Sequence, residues 1–394
     1  MDLTFLYGVL NFDLWQYVLV TILMVQVTVM AVTVYLHRDA AHRSLDLHPA
    51  LRHFFRFWIW ATSAMLTREW VAVHRKHHSF SDLPGDPHSP VVFGLRKVLL
   101  EGRELYAVET ANAETLEKYG RGTPDDWIER NVYSRFPNLG ITTLVLLDLL
   151  LFGVPGIIVL SVQLMAMPLL AAGVINGLGH HSGYRNFECE DASRNIVPWG
   201  LLVGGEELHN NHHAFPSSAK FSVRRWEFDI GWLYIRVLEV LGLAKVNRIA
   251  PEPAHVAPRR SVDLENLRAV IVNRMHVLRD YGRTVTLPVL RAELKRRTAP
   301  SNLTRGVRKL LIRHPRLLDA GAAARLQEVL RSHQALKTVH EFRERLQQLW
   351  SGASASNERL LAQLGDWCAQ AEASGIKALQ DFALILRGYA MQPA

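Results

Sequence analysis

Cysteine is nearly missing: 394 residues hold 2, Cys189 and Cys368. They lie far apart and without partners at metal-binding spacing, which excludes a disulfide scaffold and any thiolate zinc or iron–sulfur site. Any metal is therefore left to histidine or carboxylate. Lys and Arg are absent from the first fifteen positions, and no small-residue cleavage site precedes Tyr35-Leu36-His37-Arg38, so the N-terminal apolar run reads as a retained anchor. Beyond about residue 251 there is no apolar run long enough to span a bilayer, which takes roughly 20 residues. Earlier there are such runs. Residues 16–36 carry no charge, and 139–175 hold Asp148 as their only one. The mean hydropathy of +0.03 thus averages a greasy half and a polar half. The chain reads as an all-α integral membrane protein with a soluble tail.

Asp2 and Asp13 precede the first run, whereas Arg38, Arg43, Arg52 and Arg56 follow it, which places the N-terminus outside and His37 on the cytoplasmic side. The stretch 54–66 is short and is flanked or interrupted by Arg52, His53, Arg56, Arg68 and Glu69, so it is expected to be interfacial or re-entrant. A long polar loop is expected over 79–138, with Arg96, Lys97, Arg103, Arg121 and Arg130 keeping it cytoplasmic. Gly153-Val154-Pro155-Gly156 divides the next apolar region into two tightly joined spans, about 139–153 and 155–175, after a first span at about 16–36. Residues 1–250 form the expected membrane domain, 251–261 a proline-marked linker, and 262–394 a cytoplasmic helical extension. In the extension Leu264, Leu267, Val270, Ile271 and Met275 make one apolar stripe and Leu326, Val329 and Leu330 another, with no strand expected. The net charge of +8 is read as cytoplasmic basic loops, with the bilayer as partner and nucleic acid not expected.

The 18 histidines cluster. His37 and His42 form one group, His74, His77 and His78 a second, and His209, His212 and His213 a third; His180 follows Asn176 by one helical turn. Helical neighbours at i,i+3 and i,i+4 share a face, so the second and third groups each project together. His37 and His42, five apart, match a regular helix less well. Nine imidazoles exceed what one first-row ion can coordinate, and two metals are the natural reading. The spans permit one site: 54–66 does not cross, two spans separate His78 from His180, and none lies between His180 and His213. All groups then cap the membrane on the cytoplasmic side. His48, His53, His88 and His181 are not expected to be ligands; Asp86 and His88 are expected to orient imidazoles. Arg75 and Lys76 read as interfacial charges.

These boxes, His-x4-His and two His-x2-His-His, together with Glu69-Trp70, Asp86-Pro87-His88, Gly205-Glu206-Glu207-Leu208-His209 and Phe215-Pro216, closely resemble the membrane-bound fatty acyl desaturases of the stearoyl-CoA type, over residues 35–250. The resemblance implies nine metal-binding histidines, His37, His42, His74, His77, His78, His180, His209, His212 and His213, with Asn176 reaching a metal through water. It implies two iron ions, O2 as co-substrate, and a cis double bond, at Δ9, in a saturated long-chain acyl substrate, with acyl-CoA as the expected form. The alternatives are a phospholipid-bound acyl chain, a membrane di-iron hydroxylase, or a non-enzymatic metal-binding membrane protein with a DNA-binding tail. Trp58, Trp60 and Trp70 are candidates to line the acyl tunnel. Two features depart from the family. Ala72 and Val73 stand where many acyl-CoA members have an Arg-Asp pair, and residues 1–36 are too short for the two spans that animal members place before the first box. No His-Pro-Gly-Gly haem motif is present, so electrons are expected from a separate protein such as a ferredoxin or a ferredoxin-reductase-type protein.

Residues 305–389 have a second resemblance. Leu346-Gln347-Gln348-Leu349-Trp350, Trp367-Cys368 and the run Ala371 to Leu379 look like the C-terminal segment of insertion-sequence transposases. That implies a bacterial source, hence a bacterial cytoplasmic membrane, and a fused helical segment without a recognisable catalytic carboxylate triad.

Overall fold

The computed structural model describes residues 4–295, 304–351 and 356–392. The chain divides into two compact units, Met1–Arg185 with Asp191–Ala250, and Asn186–Glu190 with Pro251–Ala394.

In the first unit, helix α1 (Leu14–Met30) starts where the Gln16 side chain accepts from the Asp13 N–H, and it continues as a π-helix over Ala31–Ala41. Helix α2 (Pro49–Ser63) ends at Ala64 in a left-handed conformation, and α3 (Thr67–Phe80) follows after three residues. Helix α4 (Leu95–Thr110), a hairpin of α5 (Leu139–Phe152) and α6 (Pro155–Met167), the short α7 (His209–Ala214) and α8 (Ile230–Val240) follow, with two shorter helices at Pro90–Phe93 and Ala113–Tyr119. From Pro168 to Leu178 α6 winds on as a second π-helix; Pro168 has no N–H to donate, and the winding changes at that residue. Two small sheets tie the segments: β1 (Leu45–Leu47) runs antiparallel to β4 (Ala244–Val246), and β2 (Trp199–Gly200) runs parallel to β3 (Phe228–Asp229).

Two helical stretches are long and apolar enough to cross a membrane, Leu14–Ala41 with 28 residues and Pro155–Leu178 with 24. Helix α5 has 14 residues, or about 21 Å at the α-helical rise, short of a hydrocarbon core of about 30 Å. Gly153 takes φ +64 at the α5–α6 turn, where a Cβ would strike the Leu6 carbonyl, so glycine is required there.

The expected polar loop over 79–138 is instead largely helical: Pro90–Phe93, α4, Ala113–Tyr119 and a π turn at Glu129–Tyr133. Helix α4 buries only Val98, Gly102 and Leu105 and exposes charge elsewhere, a stripe too narrow to stand out in hydropathy. It packs on the second π-helix through small residues: a Cβ on Gly102 would meet the Ala172 carbonyl at 3.0 Å, and one on Gly173 the Leu99 carbonyl at 3.1 Å. The Arg75 guanidinium donates to the carbonyls of Ala40, Ala41, Tyr119 and Arg121, binding the end of the first π-helix to the end of the Ala113–Tyr119 helix, while Lys76 pairs with Glu109.

The second unit is helical, with α9 (Leu264–Val272), α10 (Arg274–Tyr281, continued as a π turn to Thr286), α11 (Leu287–Lys295), α12 (Thr304–Ile312), α13 (Ala320–Ser332), α14 (Gln334–Ser351), α15 (Asn357–Ala373) and α16 (Lys377–Arg387). It also holds a strand that the sequence did not suggest: Tyr389–Ala390 (β6) pairs antiparallel with Ala254–His255 (β5), and Asn266 donates to the Leu386 and Tyr389 carbonyls beside it. The core gathers Tyr281, Trp367 and Phe382 edge to face, and Trp367 donates to the Phe342 carbonyl. Leu346, Leu349, Trp367, Cys368, Ala371 and Leu379, from the transposase-like motifs, are all core positions. The stripe predicted from Leu264 to Met275 breaks at Asn273, and Leu264 is exposed.

Candidate metal centre

Four elements of the first unit bring the histidines together. The first π-helix carries His37 and ends at His42. In π winding the backbone bonds run i to i+5, and the His42 N–H donates to the His37 carbonyl. Residues five apart therefore share a face, and the two rings sit 5.0 Å apart. The spacing that suits an α-helix poorly is the one this winding requires. Helix α3 supplies His74, His77 and His78 from one face, the segment after the second π-helix supplies His180, and α7 supplies His209, His212 and His213. Asn210 and Asn211, between the third-box histidines, are buried and pinned: Asn211 donates to the Phe221 carbonyl and to Glu227, and Asn210 donates to Ser193.

The nine fall into two groups. His37, His42, His74, His78 and His212 form one, His77, His180, His209 and His213 the other, with the candidate ligand atoms of each group within 4.8 Å of one another. Within the five, Nε2 atoms face at 3.0 Å (His37–His212), 2.8 Å (His42–His74) and 2.9 Å (His78–His212). Within the four, the distances are 3.0 Å (His180–His209) and 3.4 Å (His77–His213). Imidazoles bound at about 2.1 Å and at right angles would place their nitrogens about 3.0 Å apart.

The outer ring nitrogens decide whether a cation fits. Nδ1 of His37 meets Glu206 at 2.7 Å, that of His180 meets Asp82 at 2.8 Å, that of His213 meets Asp191 at 2.9 Å, and that of His77 lies 3.0 Å from both Asp86 oxygens. A carboxylate there needs the ring hydrogen on Nδ1, which leaves a lone pair on Nε2. His77 and His213 then point two lone pairs at each other across 3.4 Å. With no hydrogen to share, that contact is repulsive unless a cation lies between, so the donor set fits a first-row metal.

Burial, with positive neighbours adding to it, pushes the pKa of His42 down to about 3, and burial pushes His213 down to about 4 against the pull of Asp191. His74, His78, His209 and His212 are lowered by the same desolvation and by neighbouring histidines, so the rings stay in the neutral, ligating form. Burial raises Asp82, Asp86 and Asp191, but the facing histidines and hydrogen bonds outweigh it and hold all three below the usual carboxylate range. His180 goes the other way: burial lowers it, and Asp82 more than offsets the effect.

Beside the histidines lies a cavity of about 840 Å3, lined by His37, His74 and His209 among apolar residues that include Val32, Leu99, Met167 and Ile175. Asn176 and Trp70 line it too, and the Trp70 ring stacks on His74 at 4.9 Å. Trp58 and Trp60 do not: their indoles donate to Thr28 and to the Phe136 carbonyl. His48 accepts from the Ala50 N–H at the start of α2, and His53 and His181 are exposed. His88 is distant from the boxes in pattern but not in space, its ring lying 4.5 Å from His77 with Asp86 alongside. Sequence reasoning missed Asp82, Asp191 and Glu206 as ring partners. Glu206 lay within a quoted motif, whereas Asp191, more than twenty residues from its histidine, left no local signal.

Residues 13–278 match the family model described as fatty acid desaturase, and residues 266–392 match one described as transposase. Among similar proteins, Delta-9 acyl-lipid desaturase 1 of Arabidopsis thaliana is 32% identical over 234 residues, 58% of this chain and 74% of that one. The sn-1 stearoyl-lipid 9-desaturase of a Synechocystis strain is 33% identical over 229 residues, 57% and 69% of the two chains. Acyl-CoA 5-desaturase AL21 of Anemone leveillei is 31% identical over 229 residues, again 57% and 69%. The chain belongs to the fatty acid desaturase family. It is a fatty acyl desaturase whose C-terminal part is transposase-like.

Proposed function

We propose that the chain is a di-iron, O2-dependent desaturase that places a cis double bond at Δ9 of a saturated long-chain acyl group, with the nine histidines as ligands and Asn176 acting through water. The observation that carries this reading is the division of the nine into groups of five and four, each with converging Nε2 atoms. Two bound irons would supply the redox chemistry that no side-chain acid or base can: two hydrogens leave adjacent methylenes while O2, two electrons and two protons go to two waters. The protein's part is to hold and orient. Glu206, Asp82, Asp86 and Asp191 each keep a proton on an Nδ1 and so fix ring tautomer and angle. The apolar cavity takes the chain, excludes water and brings two carbons to the His37, His74 and His209 edge, with Trp70 as a wall.

Acyl-CoA stands as the carrier, with a separate ferredoxin-type electron donor. A lipid-bound acyl chain is the second reading, favoured by the uncharged, buried Ala72 and Val73 before the second box and by the acyl-lipid names of two relatives. The proposed location is a bacterial cytoplasmic membrane, multi-pass, with the site on the cytoplasmic side. Exposed Leu14, Val18, Leu19, Ile22 and Leu23 on α1 support contact with lipid.

The test supplies membranes containing the protein, and an electron donor, with perdeuterated stearoyl-CoA or with phospholipid carrying the same chain. Mass spectrometry should find one double bond at C9–C10 and the loss of two deuteriums, from one carrier and not the other. A hydroxylated product would overturn desaturation, and two metals per chain other than iron would overturn the cofactor.

A further inference from the structure

The positive charge of this protein is not where a membrane enzyme's loops would put it. Residues 1–250 hold 22 Lys and Arg against 24 Asp and Glu, whereas residues 283–331 alone hold 12 against 3. Its described residues span the π turn after α10 and helices α11 to α13, which pack on one another and bury Val285, Val289, Leu290, Val307, Leu311 and Leu326 in the unit's core. Arg283, Arg291, Arg308, Lys309, Arg325 and Arg331 are exposed, and none has a carboxylate at ion-pair distance among the described residues. Within the segment Arg316 pairs with Glu190, and elsewhere in the unit Arg259 pairs with Asp263 and Glu265, Arg279 with Asp280, and Arg387 with Glu372. Two of the three acids within the segment are already engaged, Glu293 with His333 and Asp319 with the Ala322 N–H.

We infer that the basic surface carried by Arg283, Arg291, Arg308, Lys309, Arg325 and Arg331 docks on the anionic headgroups of the bilayer. The inference rests on the reading of the first unit as membrane-embedded, because that tether holds the face close to lipid at high effective concentration. Unpaired Lys and Arg near a surface of phosphatidylglycerol-type lipids attract it additively and within a Debye length. The segment has no Phe, Trp or Tyr, and its described residues include none of the unit's large exposed apolar side chains, so they offer nothing to wedge into acyl chains or to stack on unpaired bases. Contact with charge alone is what it offers.

The experiment places the full chain in lipid nanodiscs and follows amide hydrogen exchange in 304–332. In discs with about one third phosphatidylglycerol, exchange should slow by roughly tenfold relative to neutral phosphatidylcholine discs, and the difference should vanish in about 0.5 M salt. The variant R308E/K309E/R325E/R331E should lose the protection, as should the milder R308Q/K309Q, while conversion of stearoyl substrate in detergent stays at the parent level. Equal exchange in both lipids overturns the inference. So does protection by random-sequence duplex DNA in neutral discs at concentrations where phosphatidylglycerol gives none, which would make the face a nucleic-acid surface. A chain that stays soluble without detergent would instead defeat the membrane reading. Co-sedimentation with phosphatidylglycerol vesicles would then decide the face by itself.

Discussion

Asp86 belongs to neither the five- nor the four-histidine group, yet both its oxygens lie 3.0 Å from His77 Nδ1 and it also accepts from the His88 and Asp82 N–H groups. Asp86→Asn keeps the shape and removes the charge. Metal affinity at the four-histidine group should fall by about 10- to 100-fold, read by competition with a chelator, with the five-histidine group unaffected. His212→Ala, by contrast, removes a ligand that faces both His37 and His78, and should halve the metal content and abolish unsaturation, read by elemental analysis and product assay. Cys368 is buried, which pushes its thiol pKa up to about 12. Since the thiolate is the reactive form and is populated only above the pKa, Cys368 should resist alkylation at pH 8 in the folded chain and react once denatured, as followed by mass shift.

At the scale of elements, the boxes were legible because α3 repeats histidine at helical spacing, and the turn Gly153-Val154-Pro155-Gly156 was legible because it needs a glycine at positive φ. The π-helices were not, since no propensity distinguishes an i to i+5 turn; only the unexplained five-residue interval from His37 to His42 hinted at one. Helix α4 was hidden by its charge. The packing around the first π-helix was equally silent. There Arg38 is fully buried against Asp229 at 3.0 Å and lies over the Phe221 ring. Gly231 leaves it room: an added Cβ would stand 1.8 Å from Arg38 Nη1 and 2.3 Å from the Gly204 carbonyl. Gly231→Ala should therefore cost about 1–3 kcal/mol, measured as a lowered thermal midpoint, because neither the backbone nor a paired, enclosed guanidinium can retreat.

For the whole molecule, the hydropathy shift near residue 251 coincides with the start of the second unit's long segment at Pro251, whereas a net charge of +8 does not by itself say where the basic residues lie. The excess of positive charge lies within residues 283–331, with 12 Lys and Arg against 3 Asp and Glu, and not within residues 1–250. Each unit has its own core, so calorimetry of the full chain should give two transitions. A chelator should lower the one belonging to the first unit and leave the other in place, because only a state that binds the ligand is stabilised by it. A single transition shifted as one would show that the units melt together.

The four carboxylates behind the histidines carry one last implication. Neutral imidazoles bring no charge to a metal, whereas Glu206, Asp82, Asp86 and Asp191 bring four negative charges just outside them. Two divalent ions would make the sum zero. A centre holding two divalent ions on these histidines would thus be electrically balanced by carboxylates that only back the rings, and each further positive charge gained on oxidation would be held in a buried site without a counter-charge.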